Sequence, residues 1–508
     1  MGMRMTRLLA VVAVCAAIAQ AQGPTAGATP GAVWNAALEV RAAEVAAAGR
    51  AGYRSSSRLE VEFAPAPGDV HHYLVVARPK AGGPPSVLSG SGQLRHTVVP
   101  GLMSDTTYGV DVTACGDAEC ARQTSPADGP AFAETEEEVW QIQASGDGVA
   151  SALRVVADGN VKVHAIRLGP EAPAEVAGRL QLYYGPLTQA HKGLAVAVSD
   201  ALATADPASV SRFTSLAGMS GLLNPARPAA LVAEVNTGQA VAMADGVVRL
   251  LFETRGADGR TRILHIDSKD GHAGRDFNAG PSSVCSTDAD YASGGPCAPS
   301  VDVSVMSDAD GNPGFTDARQ FKLAYPVLDD WRWPGTPGTF MVLTVSTTPG
   351  CSTAPRTTAY ALYDGARWKV QYRTASCPKL FENIQAPMPV HVGGGRYKMY
   401  FGNPTESAGS VPGSRLPFLG PKRVAYADAA ATGDAALVEF EDWEPLSQAR
   451  DVRFVWPSGR VLNDTEEGYL DDFVMLMPTA DPGLQVMYTG MTDGSIPPFV
   501  AMAVLLNP

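Results

Sequence analysis

Between Ala37 and Cys115 apolar and polar positions alternate in short runs: "ALEVRAAEV", "SRLEVEF", "HHYLVVARP", "LRHTVVPGL" and "TTYGVDVTAC". Gly, Pro or Ser bounds each run. Alternation at period two predicts strands with one buried face, and this spacing of short strands predicts a β-sandwich. A second pattern fills the chain from Leu180 to Leu505. An aromatic- or Met-rich run is followed, after a loop, by an Ala/Val-rich run. The pairs are "LQLYYGP" with "KGLAVAVSDA", "VRLLFETRG" with "TRILHIDSKDG", "YKMYFG" with "KRVAYADA" and "LQVMYTG" with "PFVAMAVL". A looser copy is "FKLAYPV" with "TFMVLTVST". Five couplets at regular intervals predict a closed radial array of sheets.

Composition agrees with an all-β chain. Of 508 residues, 52 are Gly and 39 Pro, and only 18% are charged, which favours turn-rich β structure over long helices. A net charge of -13 argues against general affinity for nucleic acid. The N-terminal "MGMRMTRLLAVVAVCAAIAQAQG" has a basic start, an apolar run from Leu8 to Ile18 and the small-x-small sequence Ala19-Gln20-Ala21. It predicts a signal peptide over residues 1–21 and an exported protein with no transmembrane segment. Val14 before Cys15 is larger than a lipoprotein anchor site requires. Residues 22–32 read as a Gly/Ala/Pro/Thr linker.

With Cys15 removed, Cys115, Cys120, Cys285, Cys297, Cys351 and Cys377 remain. An even number in an exported chain predicts disulfides, paired 115–120, 285–297 and 351–377 as sequence neighbours. The rival metal reading lacks any CxxC or paired His nearby.

Two resemblances sharpen the architecture. "LMSDTTYGVDVTAC" (102–115) resembles the E–F corner and F strand of a fibronectin type III domain, which implies that the Tyr108 hydroxyl caps the corner. The following "ACGDAEC" is similar to bacterial versions with a short Cys115–Cys120 bridge. Phe63 stands where many such domains carry a core Trp. The resemblance covers 33–134, and "AETEEE" then reads as an acidic linker. The later couplets, "LHIDSKDG" and "LQVMYTG" above all, resemble the five-bladed β-propeller of arabinanase- and furanosidase-type glycosidases (families such as 43 and 32), over 140–508.

That resemblance implies carboxylates at the heads of the innermost strands. Glycoside hydrolysis uses an acid to protonate the leaving oxygen and a second carboxylate as base or nucleophile. A third tunes the acid through charge proximity. The general acid's position falls on Gln385 in "QAPMPVHVGGGRYKMYF", and an amide cannot donate and regain a proton. Ala298 stands where "DPSV" would supply an Asp, and Gly238-Gln239 where an Asp-Pro would open the second blade. Other carboxylates are candidates: Asp472, with Asp471, beginning the last blade's innermost strand, Asp302 inside the third blade's inner strand, and Glu253 ending the second blade's middle strand. Each has a bland reading as a solvated or turn carboxylate. Gln385, Gln239, Trp331 and Trp333 are the candidate substrate-binding residues. The two indoles, beside Asp329-Asp330, serve either sugar stacking or blade packing.

"SDADGNPGFTD" offers Asp308, Asp310 and Asn312 at alternating positions, like the start of a calcium loop, but lacks its Gly and closing Glu. Turn chemistry accounts for it better. No other cofactor is indicated. The histidines are scattered, and His71 and His72 would point to opposite faces of a strand. "VGGGR" is a hairpin turn without the helix a phosphate loop needs. The sequence therefore predicts an exported monomer directed at extracellular or cell-surface polysaccharide, by recognition or by divergent hydrolysis. The alternative is a non-catalytic structural or adhesive cell-surface protein.

Overall fold

A computed structural model describes residues 34, 37–45, 53–155, 159–168, 172–186, 195–200, 213–215, 234–243, 247–255, 261–268, 271, 274, 315–324, 332–333, 340–347, 350–354, 357–363, 368–393, 396–402, 422–428, 438–462, 470–477, 486–491 and 499–508. Among these the regular elements are strands, with only short 3₁₀ turns between them. No helix of the described residues is long and apolar enough to cross a membrane.

The alternating runs form a two-sheet sandwich. Glu39–Glu44, Arg54–Glu62 and His96–Val99 make one sheet; Ser86–Ser91, His72–Pro79, Thr107–Cys115, Gln123–Thr124 and Ala131–Glu134 make the other. The inward positions Leu59, Val61, Tyr73, Val75, Val110 and Val112 are buried together, while Glu60 and Glu62 alternate outward. Phe63 lies in this core against Tyr73, joined by Trp34. The Tyr108 hydroxyl accepts the Met103 N–H at 2.8 Å, closing the corner as the resemblance implies.

The couplets become antiparallel sheets. The first contains Gly159–Arg167, Leu180–Pro186, Ala195–Ser199 and Phe213–Ser215; the second Glu234–Met243, Val248–Arg255 and Thr261–Asp267, with Arg332–Trp333 along its first strand. The third runs Phe315–Ala324, Phe340–Thr347, Thr357–Tyr363 and Trp368–Val370. The fourth runs Gln385–Gly393, Arg396–Gly402, Lys422–Asp428 and Arg450–Val455. The last combines Leu470–Met477, Val486–Met491 and Phe499–Leu505 with Glu138–Ile142 from the other end of the chain.

First strands of successive sheets touch: Gly159–Arg167 against Glu234–Met243, then Phe315–Ala324, Gln385–Gly393, Leu470–Met477 and back to Gly159–Arg167. These contacts close a cycle, the propeller-type arrangement that the repeats predict. Glu138–Ile142 closes it at both sides, pairing antiparallel to Phe499–Leu505 and parallel to Arg450–Val455. "AETEEE" thus ends not in a linker but in a strand.

Sheets in such a cycle are covered on both faces, and every residue of Arg396–Gly402 is buried. Tyr397, Met399 and Phe401 pack with Phe340 and Tyr360 of the third sheet. Tyr400 packs the other way, with Trp140 and Phe454. The third couplet is offset from its sequence reading: "FKLA" belongs to the central strand and "FMVLTVST" to the one beside it. Double-sided burial removes the polar face that would tell central from neighbouring strands.

Disulfides join Cys115 to Cys120 and Cys351 to Cys377. Cys285 and Cys297 lie outside the described residues.

Candidate functional site

In the fourth sheet Gln385 opens the central strand and pairs with Gly402; in the last sheet Asp472 pairs with Gly490. Both glycines end a Tyr-x-Gly sequence, Tyr400-Phe401-Gly402 and Tyr488-Thr489-Gly490. Gln385 and Asp472 therefore occupy equivalent register positions on central strands that touch. An amide opens one of these strands, and a carboxylate lies near the start of the other.

The second sheet corrects the sequence reading. Its central strand begins at Glu234, and Gln239 lies mid-strand, paired with Leu251 and buried. The strand runs on through Gly238, paired with Phe252, where the sequence reads a boundary; its register shift lies earlier, between Val235 and Thr237. Thr237, two positions before Gln239, is the residue paired with Glu253. Glu253 belongs to the neighbouring strand, between Thr237 and Ile263. Trp333 pairs in parallel register with Met243, which puts it on the same sheet as Gln239. Asp302, Trp331, Asp308, Asp310 and Asn312 lie outside the described residues.

One buried carboxylate had no signal in the sequence beyond its place in an acidic run. Glu138 is 1% exposed. Its Oε1 accepts from Lys398 Nζ at 2.7 Å, and its Oε2 from the Tyr400 hydroxyl at 2.6 Å and Trp140 Nε1 at 3.3 Å. Burial pushes the Tyr400 hydroxyl well above the usual phenol range, and the Glu138 charge adds to the effect. Tyr426 extends the cluster, its hydroxyl accepting the Ser104 N–H at 3.1 Å. With both oxygens engaged inside the protein, Glu138 is an anchor rather than a proton donor to a solute. A related arrangement occupies the first sheet. Tyr183 precedes Gly185 as Tyr400 precedes Gly402, and its hydroxyl and Gln181 Nε2 both donate to Gly274 O, at 2.7 and 2.8 Å. Gly274 has φ +60, and a Cβ there would lie 2.8 Å from the Tyr183 hydroxyl.

The sandwich is fixed to the propeller around this anchor. Arg396 donates to Gly101 O at 2.9 Å, and Arg58 to Pro508 O at 3.0 Å. Ser56 Oγ donates to Asn507 O at 2.6 Å, and the Asn507 side chain in turn holds the last sheet's strand by accepting the Val139 N–H at 2.9 Å. Beside the junction lies a polar cleft of ≈ 600 Å³, lined in part by Arg54, Asp105, Glu134, Glu136, Glu137 and Arg453. Burial raises the Glu137 carboxyl above its ordinary value, against the opposing pull of Arg453, with which it is paired.

His71 also departs from expectation. The strand begins at His72, so His71 is not held to alternate with it, and the two Nδ1 atoms lie 3.1 Å apart.

No protein-family model matches the chain, and no curated protein matches it. Solved structures similar to it include a GH43_1 enzyme from Xanthomonas citri complexed with xylotriose, at 12% identity and TM-score 0.39, covering 71% of this chain and 89% of that one. A structure described for the GH130 family of mannoside phosphorylases is 11% identical, with TM-score 0.38, and covers 68% and 84%. The fn3 domain of human collagen alpha-1(XX) is 23% identical, with TM-score 0.18, and covers 25% and 99%.

Proposed function

We propose that this is an exported carbohydrate-directed protein. A signal peptide over 1–21 precedes a fibronectin type III-like sandwich over 33–134 and a five-bladed propeller over 140–508 that recognises an extracellular glycan. The observation that carries the reading is the register equivalence of Gln385 and Asp472 on touching central strands. An amide offers both donors and an acceptor, and a carboxylate accepts strongly; together they suit sugar hydroxyls. Hydrolysis by the usual route instead needs two carboxyl groups about 5–10 Å apart. Gln385 takes one of them away, which favours recognition over turnover.

The test is calorimetric titration of the secreted protein with arabinan, xylan and fructan oligosaccharides, beside assays on chromogenic arabinosides and xylosides. Saturable binding with no release of chromophore is expected. Steady turnover would replace recognition by divergent hydrolysis, and absence of binding to every glycan would remove the carbohydrate reading. The hydrogen-bonded junction between sandwich and propeller favours one second reading, a rigid adhesive protein of the cell surface. That reading expects no glycan affinity at the propeller centre.

A further inference from the structure

We propose that Glu60, Glu62 and His96 form a binding site for a divalent transition-metal ion of the zinc class, on the outer face of the three-stranded sheet of the sandwich. The strand pattern builds the site. Glu60 and Glu62 alternate with buried Leu59 and Val61, so both project from the outer face. His96 stands directly across from Glu62 on the adjacent strand. One donor atom from each of the three lies within 4.8 Å of the others. His96 Nε2 and Glu60 Oε1 are already 2.7 Å apart. A tetrahedral ion with bonds of about 2.0–2.2 Å separates its ligands by about 3.3 Å, so a small opening of this contact admits it.

The surroundings support the same reading. Arg41 Nε donates to Glu60 Oε2 at 2.9 Å, which turns the other oxygen toward His96. Ligating carboxylates are commonly oriented by such outer hydrogen bonds. Glu39 pairs in register with Glu62, so three carboxylates share the patch with Arg41. Above it is a concavity of ≈ 370 Å³ lined by Glu39, Glu62 and His96. Arg95 also lines it, but donates to the carbonyls of Gly92 and Leu94, its guanidinium over the Tyr73 ring. Side-chain exposures of 50% for His96 and 46% for Glu62 leave both reachable from solvent, with Glu62 Oε1 3.6 Å from Arg41 Nη2. Imidazole with carboxylates suits zinc, copper or nickel, whereas calcium and magnesium take oxygen donors. Three protein ligands leave a fourth position for water.

The site is independent of the carbohydrate reading, since it lies on the sandwich and its test involves no glycan. Zinc chloride is titrated calorimetrically into the purified full chain, and the titration is repeated with calcium chloride. The wild type is expected to show one saturable zinc site, and His96→Ala and Glu62→Gln each to weaken it by about tenfold or more. These side chains are exposed, so both variants retain the fold, which far-UV circular dichroism verifies. Three outcomes overturn the proposal. One is no saturable zinc binding by the wild type, and another is equal affinity for calcium. The third is zinc binding unchanged by His96→Ala but lost in the His71→Ala/His72→Ala double variant.

Discussion

Lys398 Nζ lies 2.7 Å from Glu138 Oε1 although 260 positions separate the two residues in the chain. Their side chains are 6% and 2% exposed. Removing one partner of such a pair strands the other charge in a dry interior, at a cost of about 3–5 kcal/mol. Lys398→Met is expected to show that loss in denaturant unfolding. Glu138→Leu with Lys398→Met should be less destabilised than the sum of the single changes, because neither charge then remains. Full additivity would show that the pair is not coupled.

Tyr108→Phe isolates the corner of the sandwich. The Tyr108 hydroxyl is buried, and its loss leaves the Met103 N–H without the 2.8 Å acceptor. An unsatisfied buried donor costs about 1–3 kcal/mol. The variant should lower the unfolding free energy by that amount and leave the propeller's near-ultraviolet spectrum unchanged.

The two disulfides should contribute unequally. Cys351 and Cys377 are 26 positions apart, Cys115 and Cys120 only 5. Chain-entropy scaling gives about 3.5 kcal/mol for the longer loop and about 2 kcal/mol for the shorter. Paired Cys→Ser variants measured under identical conditions test the ranking: Cys351→Ser/Cys377→Ser should lose more.

The repeat unit was legible because aromatic and Met residues mark strands that pack on both sides. In Arg396–Gly402 the alternation of Tyr397, Met399 and Phe401 against Lys398 and Tyr400 separates the two buried faces correctly. What it hides is that the Lys398 face is also buried. A lysine at alternate spacing reads as solvent-facing, yet here it is neutralised by Glu138, 260 positions earlier in the chain. Glu138 itself sits at the end of an acidic run, where composition points to a linker. At the centre, Gln385 was legible as the head of its strand because Ala-Pro follows and a Gly-rich turn closes the hairpin. Gln239 reads as a strand head because Gly238 looks like a boundary, yet the strand already runs from Glu234 and pairs regularly through Gly238.

Glu137 provides a pH test. Burial raises its carboxyl above the ordinary value, so the folded state holds the proton more tightly than the unfolded chain. Its contribution to stability is complete below the unfolded pKa and is lost as pH rises through the raised one. Glu137→Gln does not titrate and lacks that loss. The melting temperature of the variant minus that of the wild type should therefore increase from about pH 4 to about pH 7. A constant difference across that range would remove Glu137 as the responsible group.

The central pair makes the sharpest functional prediction. If Gln385 and Asp472 bind a glycan from equivalent positions on touching strands, their losses should differ in size. A hydrogen bond to an ionised acceptor is worth about 1.5–3 kcal/mol and a neutral one about 0.5–1.5 kcal/mol. Asp472→Asn should thus weaken binding by roughly 10- to 100-fold, and Gln385→Ala by roughly 2- to 10-fold. Gln385→Glu discriminates further. It gives the fourth sheet a carboxyl group at the register position equivalent to Asp472; two carboxyl groups sharing one site disfavour ionisation of both at once, which keeps one protonated at higher pH. The variant should hydrolyse a chromogenic glycoside of the bound sugar faster than the wild type, with a rate that falls as that proton is lost. Equal binding by all variants would move the glycan site away from these two residues.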